Sequence, residues 1–274
     1  MTKYNIAVVV VTYNPEIHNL KELLIELKEI PVYISDNASN NIDEIKKLKL
    51  SYSNLNLISN NENAGIAVAQ NVAIKEIEKN VKYILFLDQD SFISAKKIQV
   101  LAKDFKKLQL KYSNLACVAA TPDNDTKNSF ERVNEVISSG MLISVDALKK
   151  IGLMKEEFFI DMVDYEWCWR AINKGYLIIK DNKCHFKHQL GIDEKILGKI
   201  PVAPFRLYYV YRNTIYLLKK GPIPSGYKTK LKFKLFKQII FNCVFCSNRF
   251  KRIYYIYNGI IDGKREKLGK MGER

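Results

Sequence analysis

Two carboxylates one residue apart, Asp88 and Asp90, follow the apolar run of residues 83–87. At the end of a buried strand, such a D-x-D can hold a hard divalent cation, Mg2+ or Mn2+, against the diphosphate of a substrate. These ions take oxygen ligands and are commonly bound by one or two carboxylates together with substrate phosphates. The same residues also suit a solvated turn in which Asp90-Ser91 caps the next helix. Two further polar clusters, Thr12-Tyr13-Asn14 and Asp36-Asn37-Ala38-Ser39, also end apolar runs. Strand ends lie side by side in a parallel sheet, and ligands of open α/β sheets bind outside them. The three clusters can therefore line one crevice. Asp36 suits a pyrimidine ring or ribose as hydrogen-bond donor, or an Asx-turn within its own loop. A fourth cluster spans residues 61–71. Its Gly65 lets backbone approach a ligand and opens a helix with free N–H groups. It lacks the Gly-Lys-Ser/Thr ending of an ATPase phosphate loop.

The elements that must position these clusters alternate. Short β-branched runs at residues 6–11, 32–35, 55–59, 83–87 and 116–120 are separated by helical patterns at 16–29, 42–48, 65–79 and 95–110. This spacing predicts βαβ units and a mostly parallel sheet. Residues 121–135 read as a loop or weak hairpin, 136–145 as a strand carrying Ser138-Ser139-Gly140, and 176–180 as a strand. Residues 164–174 read as a helix ended by Gly175. After Pro201 the texture changes to basic, aromatic helices over 203–220, 228–246 and 249–262, with a breaker at 221–226. We place a boundary near 200: residues 1–200 as the catalytic domain and 201–274 as a helical appendage.

Bulk properties narrow the setting. A chain of 274 residues can bury a sizeable core without disulfides. Its five scattered cysteines suit a reducing compartment, and Cys243-x-x-Cys246 has no second metal-ligating pair near it. No apolar run approaches the ~20 residues of a spanning helix, and none reads as a signal segment. Charge is uneven. Residues 1–200 hold 27 Lys/Arg against 26 Asp/Glu, whereas 201–274 hold 17 against three. Such a segment suits a polyanionic partner: an anionic membrane surface, nucleic acid or a phosphorylated substrate.

In order, Thr12-Tyr13-Asn14, Asp36-Asn37-x-Ser39, Asn63-x-Gly65-Ile66-Ala67-x-Ala69-x-Asn71 and Asp88-Gln89-Asp90 resemble the family 2 glycosyltransferases of GT-A fold. Gln89, the Gly65-Ile66-Ala67 form and Phe159-Ile160-Asp161-x-x-Asp164-x-Glu166-Trp167-Cys168-x-Arg170 are more similar to bacterial rhamnosyltransferases of polysaccharide assembly. The resemblance covers residues 5–215. It implies an α/β, GT-A-type single domain with a mostly parallel central sheet, plus the basic helical segment. It also implies an inverting transferase using a dTDP-sugar, dTDP-rhamnose first, or a UDP-sugar such as UDP-galactofuranose or UDP-glucose, with a divalent cation. The alternative is a non-catalytic nucleotide-sugar or membrane-binding module of the same fold, against which Asp88, Asp90 and Asp164 together argue.

Inverting transfer needs a base for the acceptor hydroxyl and positive charge on the departing diphosphate. Asp161, Asp164 and Glu166 are the candidate bases. The family usually has Glu-Asp where this chain has Val163-Asp164, and its base is that Asp; the resemblance therefore assigns Asp164, with Asp161 in reserve. It assigns Thr12, Tyr13, Asn14, Asp36, Asn37, Asn63, Gly65, Asn71, Asp88 and Arg212 to the nucleotide sugar. Asp88, Asp90 and His188 are assigned to the metal, and Trp167 and Glu166 to the acceptor.

The last helices interleave Lys228, Lys230, Lys232, Lys234 and Lys237 with Leu231, Phe233, Leu235 and Phe236. A basic helix with an apolar opposite face lies in a membrane interface; the same pattern also suits a helix docked on its own domain. No nucleic-acid module is visible, so no nucleic acid is expected as a partner. The expected setting is cytoplasmic and peripheral at the inner face of the cell membrane, where the acceptor is a lipid-linked saccharide.

Overall fold

A computed structural model describes residues 5–122, 129–188 and 195–272. The side chain of His188 lies outside that description. The first four strands, β1 (Ile6–Thr12), β2 (Val32–Asp36), β3 (Leu55–Ser59) and β4 (Tyr83–Asp88), alternate with helices α1 (Ile17–Glu26), α2 (Ile42–Ser51) and α3 (Ile66–Glu76). They pair in parallel in the order β3-β2-β1-β4. There follow β5 (Ser91–Phe92), α4 (Ala95–Lys111), β6 (Leu115–Pro122), β7 (Phe130–Arg132), β8 (Met141–Ser144), α5 (Val145–Ile151), α6 (Val163–Asn173) and β9 (Leu177–His188). β8 runs antiparallel between β4 and β6, and β9 runs parallel beside β6. The sheet is thus mostly parallel, as expected, with one reversed strand, β8, inside it that the sequence reading did not foresee.

Successive side chains of a strand point to opposite faces, and β1 supplies both halves of the core. Val8 and Val10 pack with Leu20, Leu24 and Phe105 of α1 and α4. Ala7 and Val9 pack on the other side with Ala67 of α3 and with Trp167 and Trp169 of α6.

Two expected strands differ. Residues 136–140 do not extend β8: Met141 N–H donates to Ser138 O at 3.0 Å and closes a turn through Ser139 and Gly140. The strand at 176–180 continues to His188 as β9, past a register shift opposite Ala120 and Thr121.

The last helices are α7 (Pro204–Lys220), α8 (Tyr227–Ile240) and α9 (Arg249–Lys264), with a π-type turn at Phe241–Phe245 between the last two. Leu207, Tyr211, Leu235 and Ile256 form a small core among them. Leu217, Ile223 and Leu231 join the sheet's own core. α9 lies tight on α7 because Gly259 carries no Cβ; one built there would stand 2.4 Å from Tyr208 O.

Candidate active site

Pairing register brings the polar clusters together. Thr12 lies opposite Asp36, Asp36 opposite Ser59, and Val11 opposite Asp88. Within this row the short polar side chains bond one another. Asp36, fully buried, accepts from the Thr12 hydroxyl at 2.8 Å and from Ser39 N–H at 2.9 Å. The Ser39 hydroxyl accepts from Asn14 N–H, and Asn14 Oδ1 from Asn40 N–H, both at 2.8 Å. Asp36 thus fixes the turn while the exposed Tyr13 ring stands at its rim. Gln89 ties this row to the D-x-D: its Oε1 accepts from Tyr13 N–H at 2.8 Å and its Nε2 donates to Tyr13 O at 3.3 Å.

Gly65, at φ 91, places the start of α3 directly on the loop before α6. Ile66 N–H donates to Phe159 O at 2.6 Å, and a Cβ on Gly65 would meet that oxygen at 2.4 Å. Asn37 Nδ2 donates to Gly65 O at 3.2 Å, and Asn63 Oδ1 accepts from Gly65 N–H at 3.1 Å. The close approach that Gly65 permits is therefore first to Phe159.

Beside this row, Asp88, Asp161 and Asp164 line one crevice of about 410 Å³. Asp164 lies in the first turn of α6, where Ser138 N–H donates to its Oδ2 at 3.1 Å and Tyr165 N–H to its Oδ1 at 2.9 Å. Burial pushes its pKa up to about 7; those two N–H groups pull it down, and the charges of Asp88 and Asp161 add to the rise. Ser139, next to Ser138, accepts from Asp88 N–H at 3.2 Å and donates to the Ser91 hydroxyl at 2.8 Å. The turn at 138–139 thereby links the end of β4 to Asp164.

Two cations line the crevice, Arg206 and Lys234, and Arg206 forks onto Asp161. Burial works against its charge, but Asp161 outweighs that, helped by Asp88 and Asp164, and holds its pKa above the ordinary guanidinium value. Sequence reasoning passed over this residue. The signal was available: Arg206, Val210 and Thr214 recur at a spacing of four, one face of α7, and all three line the crevice.

Arg212, expected on the diphosphate, is fully buried on another face of α7. Its guanidinium donates to Phe158 O at 2.9 Å, to Glu157 O at 3.3 Å and to Gly269 O. Asn213 Nδ2 donates to the carbonyls of Phe158, Ile160 and Asp161 at 2.8–3.1 Å. The pair clamps a loop in which Phe159, Asp161 and Met162 all have positive φ, a conformation that costs of order 1–3 kcal/mol per non-glycine residue unless its surroundings impose it.

Three more expectations are corrected by packing. Asn71 is buried and bonds Met154 O and N–H and Glu156 Oε1, each at 2.9 Å, so it is a strut under the loop rather than a donor ligand. Trp167 is fully buried with its indole N–H on Gly152 O. Glu166 is buried in a two-toothed pair with Arg170. Neither reaches an acceptor. The His188 side chain lies outside the described residues; its backbone pairs with Ser91, next to Asp90.

Asp88 and Asp90 supply hard carboxylate oxygens, which fits a small divalent cation whose other ligands come from a diphosphate and water. No cluster of three or more potential metal ligands occurs among the described residues.

Residues 7–172, from β1 to α6, match the model of glycosyl transferase family 2. The chain is a family 2 glycosyl transferase. A "dTDP-rhamnosyl transferase RfbF" of Shigella flexneri is 36% identical over 253 residues, covering 80% of this chain and 82% of that one. Among solved structures, S. aureus TarS 1-349 in complex with UDP-GlcNAc superposes with a TM-score of 0.59 at 18% identity, over 94% of this chain and 81% of the other. GalNAc-T7 with UDP, GalNAc and Mn2+ gives 0.59 at 13% identity, over 96% and 58%. These two share the GT-A fold with this glycosyl transferase. No helix among the described residues is long and apolar enough to cross a membrane.

Proposed function

We propose that the chain moves L-rhamnose from dTDP-rhamnose, with inversion, to a saccharide carried on a lipid at the cytoplasmic face of the membrane. The observation that supports the chemistry best is the joint presence of Asp88 and Asp164 in one crevice. Asp164, with a pKa near neutrality, takes the proton of the acceptor hydroxyl as that oxygen attacks the anomeric carbon. A base is most effective when its pKa lies near the working pH. The bond to the diphosphate breaks on the opposite side. A divalent cation held by Asp88 and Asp90 would supply Lewis-acid charge to that diphosphate. Arg206 adds a fixed cation beside it and keeps Asp161 in place. Tyr13, Asp36, Asn37 and Asn63 shape the nucleotide side of the crevice, with the Tyr13 ring available to a base.

The identity of the sugar draws on the likeness to the Shigella protein. The membrane setting draws on the appendage at 201–274. Phe236, Phe245, Phe250, Ile253 and Tyr257 are exposed there, Phe250 to 90%, among lysines and arginines. Large exposed apolar patches mark interaction surfaces, and basic ones suit anionic lipid.

A donor panel tests the proposal: dTDP-rhamnose, UDP-galactofuranose and UDP-glucose, each with Mg2+ or Mn2+, scored by protection against thermal unfolding and by turnover. dTDP-rhamnose should give the largest effect. EDTA or Asp90→Asn should abolish turnover and metal-dependent dTDP binding. Preference for a UDP-sugar would overturn the donor, and full turnover in EDTA would overturn the metal.

A further inference from the structure

A second cavity, of about 470 Å³, runs along α8 beside the catalytic crevice. Val202, Leu231, Lys234 and Gln238 line both, so the two spaces share a wall. Ile200, Phe233 and Phe241 give the second cavity an apolar lining, while Lys199, Lys230 and Lys237 supply its charge together with Lys234. No acidic side chain is among its described lining. The cations lie on the aromatic surface: Lys237 Nζ is 4.4 Å from the Phe233 ring centre, Lys230 5.3 Å from Tyr227 and Lys199 5.5 Å from Phe241. Ammonium groups held over rings keep their stems on apolar surface and their heads at its edge.

We infer that this groove binds the diphosphate and the first apolar units of the lipid bearing the acceptor sugar. The inference rests on the reading of a lipid-linked acceptor and locates the binding site for its carrier. A free anion has no use for the aromatic walls, and a neutral lipid has no use for four lysines. A flat bilayer meets the exposed Phe250 side of the appendage, whereas a concave groove takes one molecule. Its shared wall with the crevice sets the order of the ligand. A sugar placed against Asp164 is followed, past Leu231 and Lys234, by whatever joins it to its carrier. In an activated lipid-linked saccharide that group is a diphosphate.

Farnesyl diphosphate, below its micelle concentration, serves as the probe, with inorganic pyrophosphate and farnesol as controls. Binding is measured on the full chain by equilibrium dialysis and by protection against thermal unfolding. Farnesyl diphosphate should bind at least tenfold more tightly than either control. Lys230→Ser/Lys237→Ser and, separately, Phe233→Ser should each weaken it at least fivefold, while dTDP affinity and the melting temperature stay within error of the parent. Equal binding of pyrophosphate and farnesyl diphosphate, or indifference to both variants, overturns the groove. The two readings fail separately. If farnesyl diphosphate binds as expected but turnover shows no preference for lipid-linked over lipid-free acceptors, the groove stands and the lipid-linked acceptor falls. If that preference exists and the probe ignores the variants, the groove falls alone.

Discussion

Arg206 forks onto Asp161, with Nη2 2.6 Å from one carboxylate oxygen and Nε 3.2 Å from the other. Asp161 sits at φ 63 in a loop that Asn213 holds by its carbonyls, so the ion pair and the loop fix each other. The guanidinium shares the crevice with the Lys234 ammonium, but its planar fork is not reproduced by an ammonium. Arg206→Ala should lower kcat about 10²–10³-fold, the range seen on removing one stabilising donor from a charge-developing site. Arg206→Lys should recover little of that loss. Wild-type steady-state rates in Arg206→Ala would remove the residue from the mechanism.

Asp164 should set the acid limb of the pH profile. As a base it works deprotonated, so kcat/KM should rise with pH and level off above about 7. Asp164→Asn should cut kcat by about 10²–10⁴-fold, leave dTDP affinity nearly unchanged and abolish that limb. Stability moves the other way. The folded pKa lies above the ordinary carboxylate value, so the stabilising neutral form is lost as pH rises from about 4 through about 7. Asp164→Asn should therefore melt higher than the parent at pH 8, and the gain should shrink toward pH 4. An active Asp164→Asn beside a dead Asp161→Asn would move the base to Asp161.

The parts legible in sequence were those set by strand burial. Runs such as residues 83–87 are too short for a buried helix and read as buried strands, so the polar residues after them were expected at one end of the sheet, where register places Thr12, Asp36 and Asp88. The reversal of β8 was not legible, because an apolar run does not state its direction. Helical spacing puts Arg206 and Arg212 on different faces of α7, but the docking of α7 against residues 157–161 is needed to say which face is the buried clamp and which the crevice. Glu166 and Asn71 misled for a related reason. A polar residue in a motif reads as a ligand until its buried partner, Arg170 or Met154, is seen. Gln89 shows the reverse: a residue noted only as a likeness acquires a task, bonding the Tyr13 backbone by both ends of its amide.

The clamp should behave as structure first and chemistry second. Asn213→Ala leaves the carbonyls of Ile160 and Asp161 without this donor, while Phe158 O keeps Arg212. Buried acceptors left unmet cost about 1–3 kcal/mol in such cases, so the variant should lose about 2–4 kcal/mol in chemical denaturation. Because the same loop carries Asp161, kcat should also fall, with dTDP affinity changed less. Arg212→Ala should show the same pairing of effects. A loss of dTDP affinity with unchanged stability would return Arg212 to the diphosphate.

The exposed apolar side of the appendage should direct the protein to anionic membranes. Removing residues 228–274 is too blunt a test, because Leu231, Lys234 and Leu235 of α8 line the catalytic crevice and would go with it. Phe245 and Phe250 are exposed and line neither cavity. They can be changed without touching the site. Each basic residue near an anionic leaflet contributes about 1 kcal/mol, and this attraction is screened by salt. An inserted ring adds an apolar increment that salt does not screen. The parent protein should therefore sediment with anionic vesicles at low salt and be only partly released at high salt. Phe245→Ser/Phe250→Ser should bind at low salt but be released more completely than the parent at high salt, since part of the unscreened apolar increment is gone. Its turnover of a lipid-free acceptor should match the parent, while turnover of a lipid-linked acceptor in vesicles should fall several-fold. Equal partition of the parent onto neutral and anionic vesicles, with no effect of the double substitution, would make this surface an ordinary helical exterior.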